Sequence, residues 1–183
     1  SLLPLAKNGL LPDEVNINAI TGSTGAGVRP GATSHFSWRD NNMSIYKPFV
    51  HQHIPEIVQS LCQLQPDFQG DLVFIPYRGD FPRGIFATSV IKIGESQENL
   101  EKMYQDYYMN EPFVYFTEKN LDLKQVVNTN KCLIHLERHN DHLLVVSCID
   151  NLLKGASGQA VENMNLMFGL KETTGLNLKS TAF

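Results

Sequence analysis

The sequence has few cysteines, and no spacing pattern connects them. Cys62, Cys132 and Cys148 are its three cysteines among 183 residues. An odd number without short spacing is typical of neither a disulfide framework nor a zinc site. We therefore interpret all three as buried core thiols of a protein from a reducing compartment, which predicts a cytoplasmic location.

The sequence also lacks long apolar runs and an excess of basic residues. No run approaches the roughly 18 apolar residues of a membrane-spanning helix, and no charged segment followed by an apolar one marks a secretory signal. Lys and Arg number 15 against 19 Asp and Glu, for a formal net charge of −4. Because duplex-binding domains usually carry a clustered basic face, we expect neither nucleic acid nor a membrane as a partner.

Length and composition predict one globular domain that is a piece of a longer protein. A chain of 183 residues with 42% hydrophobic and 19% charged residues is typical of a folded domain. The chain begins Ser1-Leu2-Leu3-Pro4-Leu5, inside an apolar segment and without Met, which indicates that a preceding part is missing. No Gly-x-Gly-x-x-Gly fingerprint follows a strand, so we expect no dinucleotide-binding domain within this piece.

The hydrophobic pattern predicts strands and helices in mixed order. Apolar alternation and short apolar runs predict strands at 15–20, 72–76, 85–93 and 113–116 and a hairpin of 132–136 and 143–149 with its turn at 138–142. Helical spacing predicts helices at about 55–63, 96–109 and 152–168, and the end of a helix within 2–10. Residues 28–44 are predicted as an ordered loop. Hairpin-length links favour an α+β fold with a mostly antiparallel mixed sheet layered with helices.

Two glycine-rich segments are candidate anion-binding loops. Glycines in the segment from Gly22 to Arg29 free the backbone to present N–H groups beside the Arg29 guanidinium. The segment from Tyr77 to Gly84 contains Arg78 and Arg83 beside Gly and Pro. An ordinary turn in the first case and solvated arginines in the second are the alternatives.

His51 and His53 are candidates for acid–base chemistry. In an extended segment, residues i and i+2 face the same side, so both imidazoles would lie together before a helix. Such a pair can act as acid–base groups or as metal ligands. The sequence places no third ligand, so we predict no metal site, and a structural or surface role stays open for both histidines.

The last predicted helix is dense in small residues. Gly155, Ala156, Ser157, Gly158 and Ala160 follow each other closely, although glycine costs roughly 1 kcal/mol relative to alanine inside a helix. Close approach of another backbone or of a ligand usually explains such a composition.

Several segments resemble one enzyme family. The run IDNLLKGASGQAVENMNLMFGL at 149–170 resembles the C-terminal signature of the N-acetyl-gamma-glutamyl-phosphate reductases. The segment His51-Gln52-His53-Ile54-Pro55-Glu56-Ile57 is similar to the family's His-x-His-x-Pro-Glu-Ile segment, and 23–29 is similar to its Ser-Gly-Ala-Gly-Arg loop. Shorter matches at 83–85 and 111–114 extend the resemblance over essentially the whole chain.

The resemblance implies an activity, a fold and partners. Members reduce an N-acyl-glutamyl phosphate to the semialdehyde with NADPH in arginine biosynthesis, through a cysteine thioester and a histidine acid–base, and release phosphate. It implies that 1–183 is the substrate-binding and dimerisation domain of a homo-oligomer, a dimer or tetramer. Its fold would be like the C-terminal domain of glyceraldehyde-3-phosphate and aspartate-semialdehyde dehydrogenases. The Rossmann domain for NADP and the nucleophilic cysteine would precede Ser1, so the chain alone is expected to be inactive.

The resemblance also implies residue roles. The pair His51 and His53 would contain the catalytic acid–base, Arg29 and Arg83 would bind substrate, and Asn151 and Gly158 would lie near the cofactor. The helix at about 152–168 would dock on the Rossmann domain.

Two positions depart from the family pattern, and the substrate stays open. Val28 displaces Arg29 by one place, and Pro76-Tyr77 replaces a Pro-His pair, so the histidine's role would be absent or taken by Tyr77. The acyl group, acetyl or succinyl, is not specified. Another acyl-phosphate reductase such as aspartate-semialdehyde dehydrogenase, and a non-catalytic dimerisation module, are the alternative functions.

Overall fold

Alternation of buried and exposed side chains builds the strands. In the computed structural model, which describes residues 1–29 and 31–180, strand β1 (Glu14–Thr21) buries Val15, Ile17 and Ala19 and leaves the residues between them half-exposed. This period of two is the pattern of a sheet with one covered face. The other strands are β2 (Ser44–Ile45), β3 (Asp71–Arg78), β4 (Ile85–Lys92), β5 (Val114–Phe116), β6 (Cys132–His139) and β7 (His142–Ile149).

The strands form one seven-stranded sheet in the order β2-β3-β1-β4-β7-β6-β5. β1 runs parallel to β3 and β5 runs parallel to β6, whereas the other neighbouring pairs are antiparallel. The expected mostly antiparallel mixed sheet is therefore confirmed. At one edge, Thr21 at the end of β1 pairs with Arg78 at the end of β3 and with Ile85 at the start of β4.

Helices cover one face of the sheet. They are α1 (Leu3–Lys7), α3 (Ile54–Leu64) and α4 (Gln97–Tyr108). Two further helices are α2 (Phe36–Arg39) and α5 (Gly158–Met167). Leu5, Leu61 and Leu100, from α1, α3 and α4, share one hydrophobic core with Ile17 and Phe74 of the sheet. In the described part of the chain no helix is long and apolar enough to span a bilayer.

Local sequence sets the helix ends much as predicted. The Ser96 side chain caps α4 by accepting a hydrogen bond from the Asn99 N–H at 3.2 Å. Pro55 lies in the first turn of α3, where its missing N–H leaves nothing unpaired. α1 ends before Gly9, whose φ of 66° is the left-handed conformation that glycine adopts readily.

Three element predictions need correction. The hairpin turn is shorter than 138–142, because β6 and β7 continue to His139 and His142, and Asn140 adopts φ 53° within a two-residue turn. The predicted loop at 28–44 contains α2. The last helix opens with a π-helical turn at Leu153–Ser157, in front of which the Asp150 carboxylate accepts two backbone N–H groups.

The second face of the sheet is only partly covered. Residues 117–127 cross it at β6 and β7, where the Cys148 thiol contacts the Asp122 carbonyl oxygen at 3.8 Å. Over β3, β1 and β4 the side chains of this face are half-exposed or exposed, namely Asn16, Asn18, Val73, Ile75, Thr88 and Val90. This open face is therefore available to a partner.

Candidate active-site cleft

A cleft of about 690 Å³ lies at the sheet edge where β1 and β3 end. It opens on the helix-covered face, since Ala19, Phe74 and Ile85 form part of its lining. Three segments wall it: the glycine-rich loop at 22–27, the segment 46–53 that leads into α3, and the segment 151–156 that opens the last helix. Residues distant in sequence thus converge on one concave site, which is the usual setting of an active site.

His51 is held in the cleft by aromatic neighbours. Its ring centre lies 5.5 Å from that of Tyr46 and 5.3 Å from that of Phe74. Its Nδ1 accepts a hydrogen bond from the backbone N–H of His53 at 3.3 Å, so the neutral ring carries its proton on Nε2. Desolvation by burial, followed by the charges of His53 and Lys47, lowers the pKa of His51 below its ordinary value. The neutral imidazole therefore predominates at neutral pH and can accept a proton.

His53 lies beside His51 but is more exposed. The two ring centres are 5.0 Å apart, and His53 Nδ1 lies 2.7 Å from Glu56 Oε2 in a pair whose side chains are 54% and 71% exposed. The expectation of an extended segment is wrong, because His53 has the helical angles φ −86° and ψ −7°. The turn nevertheless brings both rings to the cleft.

The lining of the cleft is cationic. Lys47 and Arg78 contribute to it beside the two histidines, and no Asp or Glu of the described residues does so. A concave site with charges of one sign attracts ligands of the opposite sign. The cleft is therefore suited to an anionic ligand. No group of three or more His, Cys, Asp and Glu among the described residues is arranged to hold a metal ion.

Three predicted site residues lie outside the cleft lining. Arg29 is exposed at the end of the glycine-rich loop. Arg83 pairs with the fully buried Asp150, with Nη2 3.0 Å from Oδ2. A Cβ added at Gly158 would collide with the Asn130 side-chain oxygen and with the backbone of Leu153, so close packing accounts for this glycine. The assignments of Arg29 and Arg83 to substrate and of Gly158 to cofactor stay predictions.

Asn151 joins two of the cleft walls. Its Oδ1 accepts a hydrogen bond from the Gly84 N–H at 2.8 Å, and its Nδ2 donates to Thr24 Oγ1 at 3.1 Å. The next residues that line the cleft in this wall include Gly155 and Ala156, whose side chains are absent or a single methyl group. A flat ring could therefore approach this wall closely.

Sequence reasoning misses two residues of the cleft, Tyr46 and Lys47. It includes Arg78 only as part of a candidate anion-binding loop, and it leaves a histidine's role open for Tyr77. The period of two along β3 could have identified Arg78, because it lies on the same face as Phe74 and Pro76. The same alternation turns Tyr77 to the opposite face, where its hydroxyl donates to Asn18 Oδ1 at 3.3 Å. Tyr77 therefore takes no histidine's role in the cleft.

The three cysteines are not part of this site. Desolvation by burial raises the pKa of Cys132 and raises the pKa of Cys148 to about 12, so both remain protonated thiols at neutral pH. The half-buried Cys62 lies on α3 with its Sγ 3.7 Å from the Phe68 carbonyl oxygen. None of the three lines the cleft.

Relatives of known name resemble this chain over its whole length. It is 72% identical over 182 residues to the N-acetyl-gamma-glutamyl-phosphate reductase of Phocaeicola vulgatus and 69% identical to that of Bacteroides thetaiotaomicron. The protein of the same name from Parabacteroides distasonis is 60% identical. Each alignment covers 100% of this chain and 56% of the relative, so the chain spans about half the length of the curated relatives it matches.

The fold is similar to that of a solved enzyme. The crystal structure of aspartate semialdehyde dehydrogenase II from Vibrio cholerae aligns with a TM-score of 0.67 at 12% identity, over 92% of this chain and 59% of that one. At this identity the likeness concerns the fold alone. Residues 1–151 match the family model described as semialdehyde dehydrogenase, dimerisation domain. The chain therefore belongs to the semialdehyde dehydrogenase dimerisation-domain family.

Proposed function

We propose that this chain is the substrate-binding and dimerisation part of a cytoplasmic reductase of arginine biosynthesis. The whole protein would reduce an N-acyl-gamma-glutamyl phosphate to the semialdehyde with NADPH and release phosphate. The observation that carries the proposal is the neutral His51 in a cleft whose lining includes Lys47 and Arg78 but no carboxylate of the described part of the chain. The names of the similar proteins support the same activity.

His51 is the acid–base in this proposal. Its lowered pKa and its uncommitted Nε2 suit it to take the proton of an incoming cysteine thiol, whose sulfur then attacks the acyl phosphate and expels phosphate. Bound NADPH supplies the hydride. The imidazolium next returns its proton to the oxygen of the reduced carbonyl group, and the loss of the thiol releases the aldehyde. His53, held by Glu56, positions His51 through its backbone N–H.

The nucleophile belongs to the remaining part of the protein. The buried thiols of this chain stay protonated and lie outside the cleft. The curated relatives are longer than this chain, which covers 56% of each, so a cysteine from the rest of the protein would complete the site.

The cofactor would contact this chain at the wall that carries Asn151. The small residues Gly155 and Ala156 fit the close approach of a nicotinamide ring, and one N–H of the Asn151 amide is not used in the contact with Thr24. NADP itself would be held mainly by a Rossmann domain outside this chain. The chain alone would therefore bind substrate but not turn it over.

Turnover of the full-length protein tests the function. The assay runs in reverse, with NADP, phosphate and N-acetyl-glutamate semialdehyde, on wild type, His51→Asn and His53→Asn. We expect His51→Asn to lose about 10²- to 10⁴-fold in kcat, and His53→Asn to lose less, with both variants folded. A larger loss for His53→Asn would make His53 the acid–base and His51 the positioning residue.

The choice of substrate separates the alternatives. Turnover with the N-succinyl semialdehyde alone would keep the chemistry and change the acyl group. Turnover with aspartate semialdehyde alone would favour the other acyl-phosphate reductase. If no semialdehyde reacts, the chain is a non-catalytic dimerisation module.

The open sheet face is the proposed surface for a second copy. Val90 is 40% exposed there, and Ile75 and Val73 are half-exposed. Val90→Lys would place a charge in such an interface and should shift the full-length protein toward monomer in sedimentation velocity. Met109→Lys, at a methionine 74% exposed beyond α4, is the control. An unchanged assembly in Val90→Lys would place the interface elsewhere.

A further inference from the structure

We propose that Arg78 binds the α-carboxylate of the substrate, at the end of the cleft away from the reacting carbonyl group. The inference rests on the proposed function, because it takes the substrate to be an N-acylated amino acid whose side chain reacts. It adds a specificity-determining residue that the sequence pattern alone did not assign.

The backbone of Arg78 is fixed from both sides. It is the last residue of β3 and pairs with Thr21 of β1 on one side and with Ser44 of β2 on the other. Its carbonyl oxygen accepts a hydrogen bond from Arg39 Nη1 at 2.8 Å. The side chain therefore starts from a rigid position at the cleft edge.

The guanidinium is oriented but carries no counterion. Its Cζ lies 4.8 Å from the centre of the Tyr46 ring, and Nη1 donates to Thr33 Oγ1 at 3.1 Å. Its Nε is buried without a hydrogen-bond partner, and none of the ion pairs among the described residues includes it. A buried donor without a partner is uncommon in a native structure and asks for a ligand or a water.

The surrounding charges favour an anion at this point. Arg39 is buried and donates only to uncharged oxygens, those of Thr33, Asn42, Ser44 and Arg78. Lys47 lines the same cleft. The nearest acid along the chain, Asp80, is exposed and accepts the backbone N–H of Asn41 instead of pairing with Arg78. The positive charge is thus not neutralised within the described residues.

Arg78 and His51 lie within reach of one substrate molecule. Both contact the Tyr46 ring, so the His51 ring centre and the Arg78 Cζ are no farther apart than the sum of 5.5 Å and 4.8 Å. In a glutamyl chain the α-carboxylate carbon lies about 5 Å from the reacting carbon when extended. A hydrogen bond of about 3 Å at each end extends this reach to about 11 Å, which covers the upper limit. His51 can therefore address the reacting oxygen while Arg78 holds the carboxylate.

A guanidinium is suited to this task by its shape as well as its charge. Its planar fork binds a carboxylate through two parallel hydrogen bonds, which lysine cannot do. The stacked Tyr46 ring and the bond to Thr33 hold that plane in advance, so little side-chain freedom remains to be lost on binding.

Substrates with and without the carboxylate test the inference in the full-length protein. The semialdehyde is compared with its α-carboxamide analogue in wild type, Arg78→Gln, Arg78→Lys and the control Arg138→Gln. Arg138 is matched to Arg78 because its Nε is also buried without a partner, but it lies beside the β6–β7 turn. We expect Arg78→Gln to raise KM for the semialdehyde about 10- to 100-fold with little change in kcat.

The comparison of the two substrates decides the role. Wild type and Arg138→Gln should prefer the carboxylate substrate to the carboxamide by about 10- to 100-fold in KM. Arg78→Gln should show almost no preference, and the preference of Arg78→Lys should lie between these two cases. A preference that persists in Arg78→Gln, or a rise confined to the KM of phosphate, would overturn the proposal. If Arg78→Gln does not fold, the substrate preference of Arg78→Lys is compared with that of wild type instead.

Binding separates failure of this inference from failure of the proposed function. N-acetylglutamate and its α-amide are titrated calorimetrically into wild type and Arg78→Gln without cofactor. If wild type turns nothing over but binds the carboxylate form in an Arg78-dependent manner, the reaction is wrong and the carboxylate site stands. Equal affinities of the two ligands for wild type would remove the site, whatever the enzyme catalyses.

Discussion

At the residue scale, the two arginines of one loop differ in what surrounds them. The sequence presents Arg78 and Arg83 alike, beside Gly and Pro. In the structure Arg83 is committed to the buried carboxylate of Asp150, which also accepts the N–H groups of Asn128, Leu152 and Leu153. Arg78 has no carboxylate partner among the described residues. The segment therefore contains one arginine that is paired with a buried carboxylate and one that lines the cleft.

Removal of the Arg83 charge should destabilise the protein. Arg83→Leu leaves Asp150, which is 0% exposed, without its counterion, and we expect the free energy of unfolding to fall by about 3 kcal/mol in urea titrations. Lys102→Met, which breaks the exposed pair with Asp106, should change it by less than about 1 kcal/mol. An equally small change for Arg83→Leu, with a raised KM, would instead support the substrate role.

Removal of the Lys47 charge should raise the pKa of His51. Burial is the largest cause of its lowered pKa, and the charges of His53 and Lys47 add to it. Lys47→Gln should therefore raise the pKa of His51 toward its ordinary value without restoring it fully, as followed by NMR titration of the ring. Lys92→Gln, on the far end of β4, is the control, and equal shifts in the two variants would contradict a local effect.

The same shift has a consequence for stability. Because the folded-state pKa of His51 lies below its unfolded value, the unfolded chain binds the proton more readily. The free energy of unfolding should therefore fall as the pH drops from about 6.5 through the folded-state pKa. In Lys47→Gln this acid-induced loss should be smaller than in wild type.

At the element scale, the sequence predicted what depends on local periodicity. Strands β1, β4 and β7 and helices α3 and α4 follow from apolar spacing and from caps such as Ser96. The parallel pairing of β1 with β3 could not be predicted, because it depends on contacts between residues far apart in the chain. The pairing of Asp150 with Arg83 could not be predicted either, because the two residues are far apart in the chain.

The candidate site, like the fold, could be predicted from the sequence only in part. Both histidines and Asn151 were found because they lie in recognisable segments. Lys47 was not found, and Arg78 was included only as part of a candidate anion-binding loop, because the direction of each side chain decides whether it enters the cleft. The cofactor role of Gly158, which the family resemblance implies, stays a prediction, and the structure adds that Asn130 packs against this glycine.

The two glycines at the start of the last helix should differ in their tolerance of alanine. At Gly158 a Cβ meets the Asn130 side chain and the Leu153 backbone, so Gly158→Ala should cost about 1–3 kcal/mol of unfolding free energy despite alanine's better helix propensity. At Gly155 the nearest atoms are 3.4 Å away, so Gly155→Ala should be nearly neutral. Thermal unfolding of both variants tests the contrast, which similar losses would refute.

At the scale of the whole molecule, the proposal makes the cleft one part of a larger site. In that proposal the chain would supply the acid–base, the cationic lining and the wall near the cofactor, while its own thiols lie outside the cleft. The chain also leaves apolar surface on its last helix, where Met167 is 82% and Phe168 is 75% exposed. Clustered exposed apolar residues are typical of a surface that another domain covers.

The exposed side of α5 should therefore contribute to stability only in the full-length protein, where another domain would cover it. Met167 and Met109 are 82% and 74% exposed in this chain, so neither is stabilised by contacts within it. In the full-length protein Met167→Glu should lower the unfolding free energy by about 2 kcal/mol, because it removes a buried methionine from the contact between domains. Met109→Glu should change it by less than about 0.5 kcal/mol. Chemical denaturation of both variants decides the point, since equal small losses would mean that α5 faces solvent in the whole protein and that the proposed Rossmann domain would dock elsewhere.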